Sequence, residues 1–344
     1  MRKNRDYRAI ALPGEGIGLE IVPAAIAVLQ RVGKIHDFKV EIEYGKIGLP
    51  AYEKCGSYFP EVTEELCREA DGIIFGAVSQ GGLLELRKSF NFFANLRPIK
   101  IFPSLIDKSS LKPNIIAGVD ILFVRELVSG IYFGKAKRNA SDGYGYHTMF
   151  YRDREIGQIA RVALQKARQR RGLLTVAHKE NALPYLPWTE LVTEEAKDFP
   201  DVTIEAMLVD NLAMQLVINP QHFDVILAGN LFGDILSDLG GALAGSIGLL
   251  GSASLNKQGF GMYEPIHGTA PAIAGKGIAN PSGAIASVVM MLEQWGETAA
   301  AKSIQQAQNK ILDLGYRTAD LHPQGKEILV NTEELIELLL EELS

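Results

Sequence analysis

The chain has 344 residues, of which 47% are hydrophobic and 22% charged, and carries a formal net charge of −6. At roughly 150 residues per domain this length suggests two domains, with the composition of a globular protein. The acidic balance without a long basic run argues against a nucleic-acid partner. No segment approaches the ~20 apolar residues needed to cross a bilayer. Two cysteines, Cys55 and Cys67, suggest neither a disulfide framework nor a zinc site. With a polar start over residues 1–8 that lacks a signal peptide's apolar stretch, they point to a cytoplasmic protein.

Residues 9–12 predict a first strand. A glycine-rich turn follows, Pro13-Gly14-Glu15-Gly16-Ile17-Gly18, then a helix over about 19–33. The glycine spacing is not the G-x-G-x-x-G dinucleotide fingerprint, although such a turn lets a ligand approach the backbone closely. Residues 72–78 and 119–125 read as strands. A loop opening at 130–134 contains a turn at Asp142-Gly143. Its flanking aromatics, Tyr132, Phe133, Tyr144, Tyr146 and Phe150, suggest an arm that packs on a partner subunit. Asp153 is placed to cap a helix reaching about Arg171, and the basic cluster at 166–171 reads as the solvated end of that helix. Strands and helices then alternate through 173–177, 188–197, 202–209 and 223–228, which argues for an α/β protein. Small residues crowd 240–251, and helices are predicted over 284–295, 298–314 and 332–343.

The most informative stretch is Gly229-Asn230-Leu231-Phe232-Gly233-Asp234-Ile235-Leu236-Ser237-Asp238. It follows an apolar run that reads as a buried strand, and ligands of α/β proteins bind at such strand-to-helix junctions. Asp234 and Asp238 are four residues apart and share one helix face. With Asp210 as a third acid they can hold a hard divalent cation; alternatively, they merely favour the helix N-terminus through its dipole. Arg87, Arg97 and Arg125 match carboxylates in two-point contacts, so with the aspartates they suggest an anionic substrate bridged by a metal. Tyr132 and Lys179 can form an acid–base pair or be a packed tyrosine and a solvated lysine. The segment from Tyr263 to Pro281, rich in Gly, Pro and Ala, reads as a ligand-shaping loop or a long connector.

The motifs LLELRKSFNFFANLRP (83–98), RELVSGIYFG (125–134), GNLFGDILSDLGG (229–241) and EPIHGTAP…AGKGIANP (264–281) occur in this order. They resemble those of the β-decarboxylating dehydrogenases, and within that family its isopropylmalate branch, over nearly the whole chain. The resemblance implies a two-domain α/β fold of the isopropylmalate-dehydrogenase type, with mixed sheets flanked by helices and distinct from the Rossmann fold. A discontinuous cofactor domain would comprise residues 1–92 and 245–344. Residues 93–244 would form a dimerisation domain with its arm, and the active site would lie in the cleft between the two.

The implied reaction is metal-dependent oxidative decarboxylation of a 3-substituted malate to a 2-oxo acid with reduction of a nicotinamide cofactor. 3-Isopropylmalate, in leucine biosynthesis, is the default substrate, and the bulkier 3-benzylmalate is the alternative. A non-catalytic regulatory subunit is the remote one. By the same resemblance Arg87, Arg97 and Arg125 bind the malate carboxylates, and Leu83, Leu84 and Ala182 face the substituent. Asp234 and Asp238, joined by Asp210 from the other subunit of a homodimer, hold Mg²⁺ or Mn²⁺. Tyr132 and Lys179 transfer protons, Lys179 reaching across the dimer. Ile17, Glu264, His267, Gly268, Ala270 and Asn280 contact NAD, with NADP not excluded.

The chain departs from the family pattern at three places. The loop between Gly76 and Leu83 is short, and Gln80 stands where the family has a glutamate. Ala182 replaces a valine against the alkyl group, which leaves room for a larger substituent. Ala272 replaces an aspartate that accepts hydrogen bonds from the adenosine ribose.

Overall fold

A computed structural model describes residues 5–343. The chain divides into two compact units, Met1–Phe90 with Phe102–Ser110 and Ala244–Ser344, and Asn91–Ile101 with Leu111–Leu243.

The first unit begins with β1 (Asp6–Gly14), in which Ala9, Ile10, Ala11 and Leu12 are all fully buried. Such an unbroken apolar run marks a strand covered on both faces, as in parallel sheets. β1 pairs in parallel with β2 (Lys39–Tyr44) and with β3 (Gly72–Ala77). Between β1 and β2 runs α1 (Gly18–Ile35), which buries Ile21, Val22, Ala25, Val28, Leu29 and Val32. That three- and four-residue spacing forms one apolar stripe. α2 (Leu49–Cys55) and α3 (Glu61–Arg68) connect β2 to β3, and α4 (Leu83–Ser89) follows β3.

The second unit contains β4 (Ala94–Lys100), α5 (Pro113–Ile116) and β5 (Asp120–Glu126). A hairpin of β6 (Ala136–Asn139) and β7 (Tyr144–His147) follows, turning at Asp142-Gly143. Next come α6 (Asp153–Arg168), β8 (Leu173–His178), α7 (Trp188–Glu195), β9 (Thr203–Leu208), α8 (Val209–Ile218), β10 (Val225–Ala228) and α9 (Asn230–Leu243). The strands run in the order β4-β5-β10-β8-β9, antiparallel only between β4 and β5.

The chain then returns to the first unit with β11 (Gly251–Leu255) and β12 (Gly261–Pro265), an antiparallel pair whose β12 lies parallel to β3. α10 (Ser282–Trp295), α11 (Thr298–Asp313), the short β13 (Tyr316–Arg317) and β14 (Ile328–Leu329), and α12 (Thr332–Glu342) complete it. α10 is the helical centre of this core and buries Ile285, Val288, Val289, Met291 and Leu292. Its terminal Trp295 stacks on Tyr7 with ring centroids 4.3 Å apart. Among the described residues no helix is long and apolar enough to cross a membrane.

Three expectations need correction. The sequence reading has no element over residues 83–100, where the structure has α4 and β4. α4 spans only seven residues, and β4 carries Arg97 and Pro98 within it, which breaks the apolar pattern of a buried strand. Asp153 does not cap α6. The cap position is Arg152, and Glu155 in the first turn accepts its backbone N–H at 2.9 Å. The basic cluster after α6 is not simply solvated. The fully buried carboxylate of Asp224 accepts Arg170 Nε at 2.8 Å and the Arg171 backbone N–H at 2.8 Å.

Replacing Asp224 by Ala leaves both donors without that acceptor. The expected loss is about 2–3 kcal/mol in urea unfolding. Unchanged stability would show that solvent replaces the carboxylate without cost.

Candidate active site

Asn95, Arg97 and Arg125 share one face of the second unit's sheet. Asn95 and Arg97 are two residues apart on β4, and Asn95 lies opposite Arg125 in the antiparallel register. α9 lies over this face. Its Gly233 permits the approach, because a Cβ there would sit 2.7 Å from Arg125 Cγ. Arg97 and Arg125 are almost wholly buried, with 7% and 3% of their side chains exposed. A buried guanidinium is stable only with its donors satisfied, and α9 supplies most of the acceptors. Arg97 Nη1 donates to Ser237 Oγ at 2.8 Å and to Asp238 Oδ1 at 3.1 Å, and lies 3.4 Å from Asp234 Oδ1. Its Nε donates to Asn95 Oδ1 at 2.8 Å. Arg125 Nη1 donates to Asp234 Oδ1, while its Nε and Nη2 donate to Asn230 Oδ1 at 3.2 and 2.8 Å.

Tyr132 joins the same cluster. Its hydroxyl donates to Asp234 Oδ2 at 3.0 Å, and the Arg125 guanidinium lies 6.0 Å from its ring centre. Burial and the Asp234 carboxylate raise the phenol above its ordinary value, so it stays protonated. Burial also raises Asp238, and Asp234 adds to this against the opposing pull of Arg97. The helix-dipole explanation for these aspartates fails, because α9 starts at Asn230 and neither acid lies in its first turn. Their donor atoms are all carboxylate oxygens, which fits a hard divalent cation.

Asn230 fixes this arrangement from behind. Its amide Nδ2 donates to Ser129 O at 3.0 Å, which leaves the carbonyl oxygen facing Arg125. Its backbone N–H donates to the Tyr151 hydroxyl at 2.8 Å, and Tyr151 meets Trp188 edge to face at 5.0 Å. The loop carrying Ser129 is held in turn by Glu126, whose carboxylate accepts Val128 N–H at 2.7 Å and Ser129 N–H at 3.1 Å.

Lys179 and Asp210 form a separate pair. Lys179 follows β8, Asp210 opens α8, and the parallel register of β8 and β9 sets His178 beside Leu208. Lys179 Nζ bonds Asp210 Oδ1. One chain therefore does not gather Asp210 with Asp234 and Asp238. Among the described residues no group of three His, Cys, Asp or Glu side chains is arranged to hold a metal. Ala182 is exposed, in a turn where its N–H donates to Lys179 O at 3.0 Å.

The other candidate residues belong to the first unit. Arg87, on α4, is buried and donates to Glu264 Oε1 on β12 at 3.0 Å, an oxygen that also accepts Ser254 Oγ at 3.3 Å. Glu264 is thus already engaged by Arg87. Leu83 is half-buried and Leu84 exposed at the start of α4. Ile17 is buried, and its N–H donates to Thr269 O at 3.0 Å, which ties the turn after β1 to the loop carrying His267, Gly268 and Ala270. Ala270 has φ +43°, a left-handed conformation uncommon for alanine. Asn280 donates to Asp320 Oδ2 at 3.0 Å. His267 Nδ1 lies 3.0 Å from Gly268 O, and its buried Nε2 has no partner among the described residues. Burial lowers the imidazole pKa, which favours its neutral form. An orphaned ring nitrogen in a loop bound to a glycine-rich turn fits a ligand with a hydrogen-bonding group, as a nicotinamide dinucleotide has.

The isocitrate/isopropylmalate dehydrogenase family profile matches residues 9–339. The chain belongs to this family. It is 46% identical over 341 residues to a 3-isopropylmalate dehydrogenase of Salinibacter ruber, covering 95% of this chain and 93% of that one. It is 48% identical over 333 residues to one of Methylococcus capsulatus, covering 91% and 92%. Among solved structures, an isocitrate dehydrogenase from Methylococcus capsulatus superposes with a TM-score of 0.89 at 32% identity, over 98% of this chain and 99% of that one. An apo β-decarboxylating dehydrogenase from Thermococcus kodakarensis superposes with 0.81 at 34% identity, over 98% and 96%. The protein is an oxidoreductase of this family, with the nicotinamide cofactor and divalent metal that membership implies.

Sequence reasoning gave no role to Asn95, Asn230, Ser237, Ser129 or Glu126. Asn95 and Asn230 stand inside quoted motifs, but an amide's duty depends on which distant guanidinium it meets, and Asn230 meets one 105 positions away.

Burial raises the fully buried Glu126 carboxyl to about 7, against the two N–H groups that favour its charged form. A folded value above the unfolded one, about 4.3, gives stability that is complete below about 4.3 and is lost as pH rises through 7. The stability of wild type relative to Glu126→Gln is therefore expected to fall by about 3 kcal/mol between pH 4 and 8. A difference that is flat across this range, measured by urea unfolding, contradicts a buried titrating carboxyl.

Proposed function

We propose that the protein catalyses the metal-dependent oxidative decarboxylation of a 3-substituted malate to a 2-oxo acid, with 3-isopropylmalate as substrate and leucine biosynthesis as its setting. The observation that carries this reading is the burial of two guanidiniums, Arg97 and Arg125, against two aspartates on one helix face. Such a cluster offers two-point recognition of carboxylates beside oxygen ligands for a cation. The names of the two relatives above support the substrate.

On this reading Arg87, Arg97 and Arg125 pair with the malate carboxylates, and Leu83, Leu84 and Ala182 contact the alkyl group. Asp234 and Asp238 hold Mg²⁺ or Mn²⁺ together with Asp210 from a second copy of the chain. When bound, the cation supplies Lewis-acid polarisation of the substrate hydroxyl and the nicotinamide supplies the hydride acceptor. Lys179 Nζ, from the same second copy as Asp210, takes the hydroxyl proton, and Tyr132 returns a proton to the carbon that has lost CO₂. Ile17, Glu264, His267, Gly268, Ala270 and Asn280 are assigned to the dinucleotide, proposed to be NAD. A homodimer is supported by exposed Met214, Val217 and Ile218 on α8, Ile235 on α9, and Tyr144 and Tyr146 on the hairpin.

Purified protein with Mg²⁺ is expected to reduce NAD with 3-isopropylmalate at a kcat/KM about tenfold or more above that for 3-benzylmalate. Ala272 offers neither an acceptor for ribose hydroxyls nor a cation for a phosphate, so NADP is assayed in parallel. No turnover of any 3-substituted malate, with either cofactor and with Mg²⁺ or Mn²⁺, overturns the reading. A second reading, preference for 3-benzylmalate, is favoured by the small exposed side chain at Ala182. If the bulky substrate proves better, Ala182→Val is expected to lower its kcat/KM about tenfold and to spare 3-isopropylmalate.

A further inference from the structure

Glu15 lies in the turn between β1 and α1, and its half-buried carboxylate reaches two other segments. Oε1 accepts the Leu49 N–H at 2.8 Å, and Oε2 accepts the Ser79 N–H at 3.3 Å and the Ser79 hydroxyl. The Glu15 backbone N–H donates to Ala77 O at 2.7 Å. One side chain thus connects three chain segments: the turn after β1, the start of α2 and the loop after β3.

That loop, residues 78–82, is tightly seated. Gly48 has φ +73°, and a Cβ there would lie 2.5 Å from Glu15 Oε1 and 2.7 Å from Val78 Cγ1. A Cβ on Gly81 would lie 2.4 Å from the Tyr58 ring. The Tyr58 hydroxyl donates to Gln80 Oε1 at 3.4 Å, and its ring stacks on Tyr52 at 4.4 Å. The Gly82 N–H donates to Glu85 Oε2 at 2.8 Å, which fixes the first turn of α4. Leu83 and Leu84 follow directly. Leu84 is 44% exposed, an apolar side chain in the first turn of the helix that this loop leads into.

We propose that Glu15 is a positioning residue that sets selectivity for the substrate's 3-substituent, by bracing the 78–82 loop that presents Leu83 and Leu84. This rests on the substrate reading above. On this proposal Glu15 acts through the loop and not on the substrate itself. Its effect belongs to the binding of the alkyl group, so it appears in KM and depends on whether the substrate carries that group.

The experiment uses full-length protein, with Glu15→Gln and Ser79→Ala. Gln keeps the volume but offers one acceptor where the carboxylate offers two, and Ala removes the serine hydroxyl. Each variant is expected to raise KM for 3-isopropylmalate about tenfold, with kcat and the kcat/KM for unsubstituted malate held within about twofold. Hydrogen exchange of the free protein provides a readout that needs no substrate: amides 79–84 are expected to exchange about tenfold faster in Glu15→Gln, with the rest unchanged. Unaltered exchange at 79–84 overturns the brace whatever the kinetics. Equal losses with malate and 3-isopropylmalate overturn the selectivity role and leave Glu15 purely structural. A wild type inert toward 3-isopropylmalate defeats the substrate reading and the selectivity role together, and faster exchange would then still uphold the brace itself.

Discussion

Arg97 and Arg125 are buried cations with no bulk water to solvate them, and the second unit is organised around satisfying them. Their forked donors need oxygen acceptors at fixed distances, and α9 delivers Asn230, Asp234, Ser237 and Asp238 along one face. The close seating of the helix at Gly233 follows from that need. So does the loop after β5, since Ser129 must hold the Asn230 amide so that its oxygen faces the guanidinium. A buried ion pair stabilises a fold weakly at best, because desolvation offsets most of the attraction. On the proposed function such a cluster serves recognition, its guanidiniums held in place to take the substrate carboxylates.

Charge and proton-carrying groups cluster on α9, β4, β5 and the ends of β8 and β9. The first unit supplies glycine-rich turns, an orphaned histidine nitrogen and the Leu83-Leu84 pair. Arg87 follows the same logic as the other arginines, since it too is buried against a carboxylate, that of Glu264. Lys179 and Asp210 neutralise each other within one chain. The family resemblance is what brings Asp210 of a second copy to Asp234 and Asp238 in the proposed metal site, and among the described residues one chain gathers no such group.

Much of this was legible in the sequence, for identifiable reasons. Strands buried on both faces, such as residues 9–12 of β1, β3 and β10, announce themselves as apolar runs, and α1 and the C-terminal helices by their stripes. The aspartates of α9 were legible because four-residue spacing fixes a helical face without further information. β4 was not, since Arg97 and Pro98 interrupt a strand whose burial comes from tertiary contacts. The amides escaped notice for a related reason. Asn95 and Asn230 look like ordinary polar residues until the fold sets each against an arginine. The bracing by Glu15 was equally hidden, because Leu49 and Ser79 lie 34 and 64 positions from it.

On the proposed function the Arg97 and Arg125 contacts to Asp234 and Asp238 hold the places of a substrate and a cation. A crystal structure with Mn²⁺ and 3-isopropylmalate tests it most directly. The account predicts anomalous scattering from Mn²⁺ at Asp234 and Asp238, with both guanidiniums turned onto the malate carboxylates. Malate bound while the arginines stay on the aspartates, with the metal elsewhere, would contradict it.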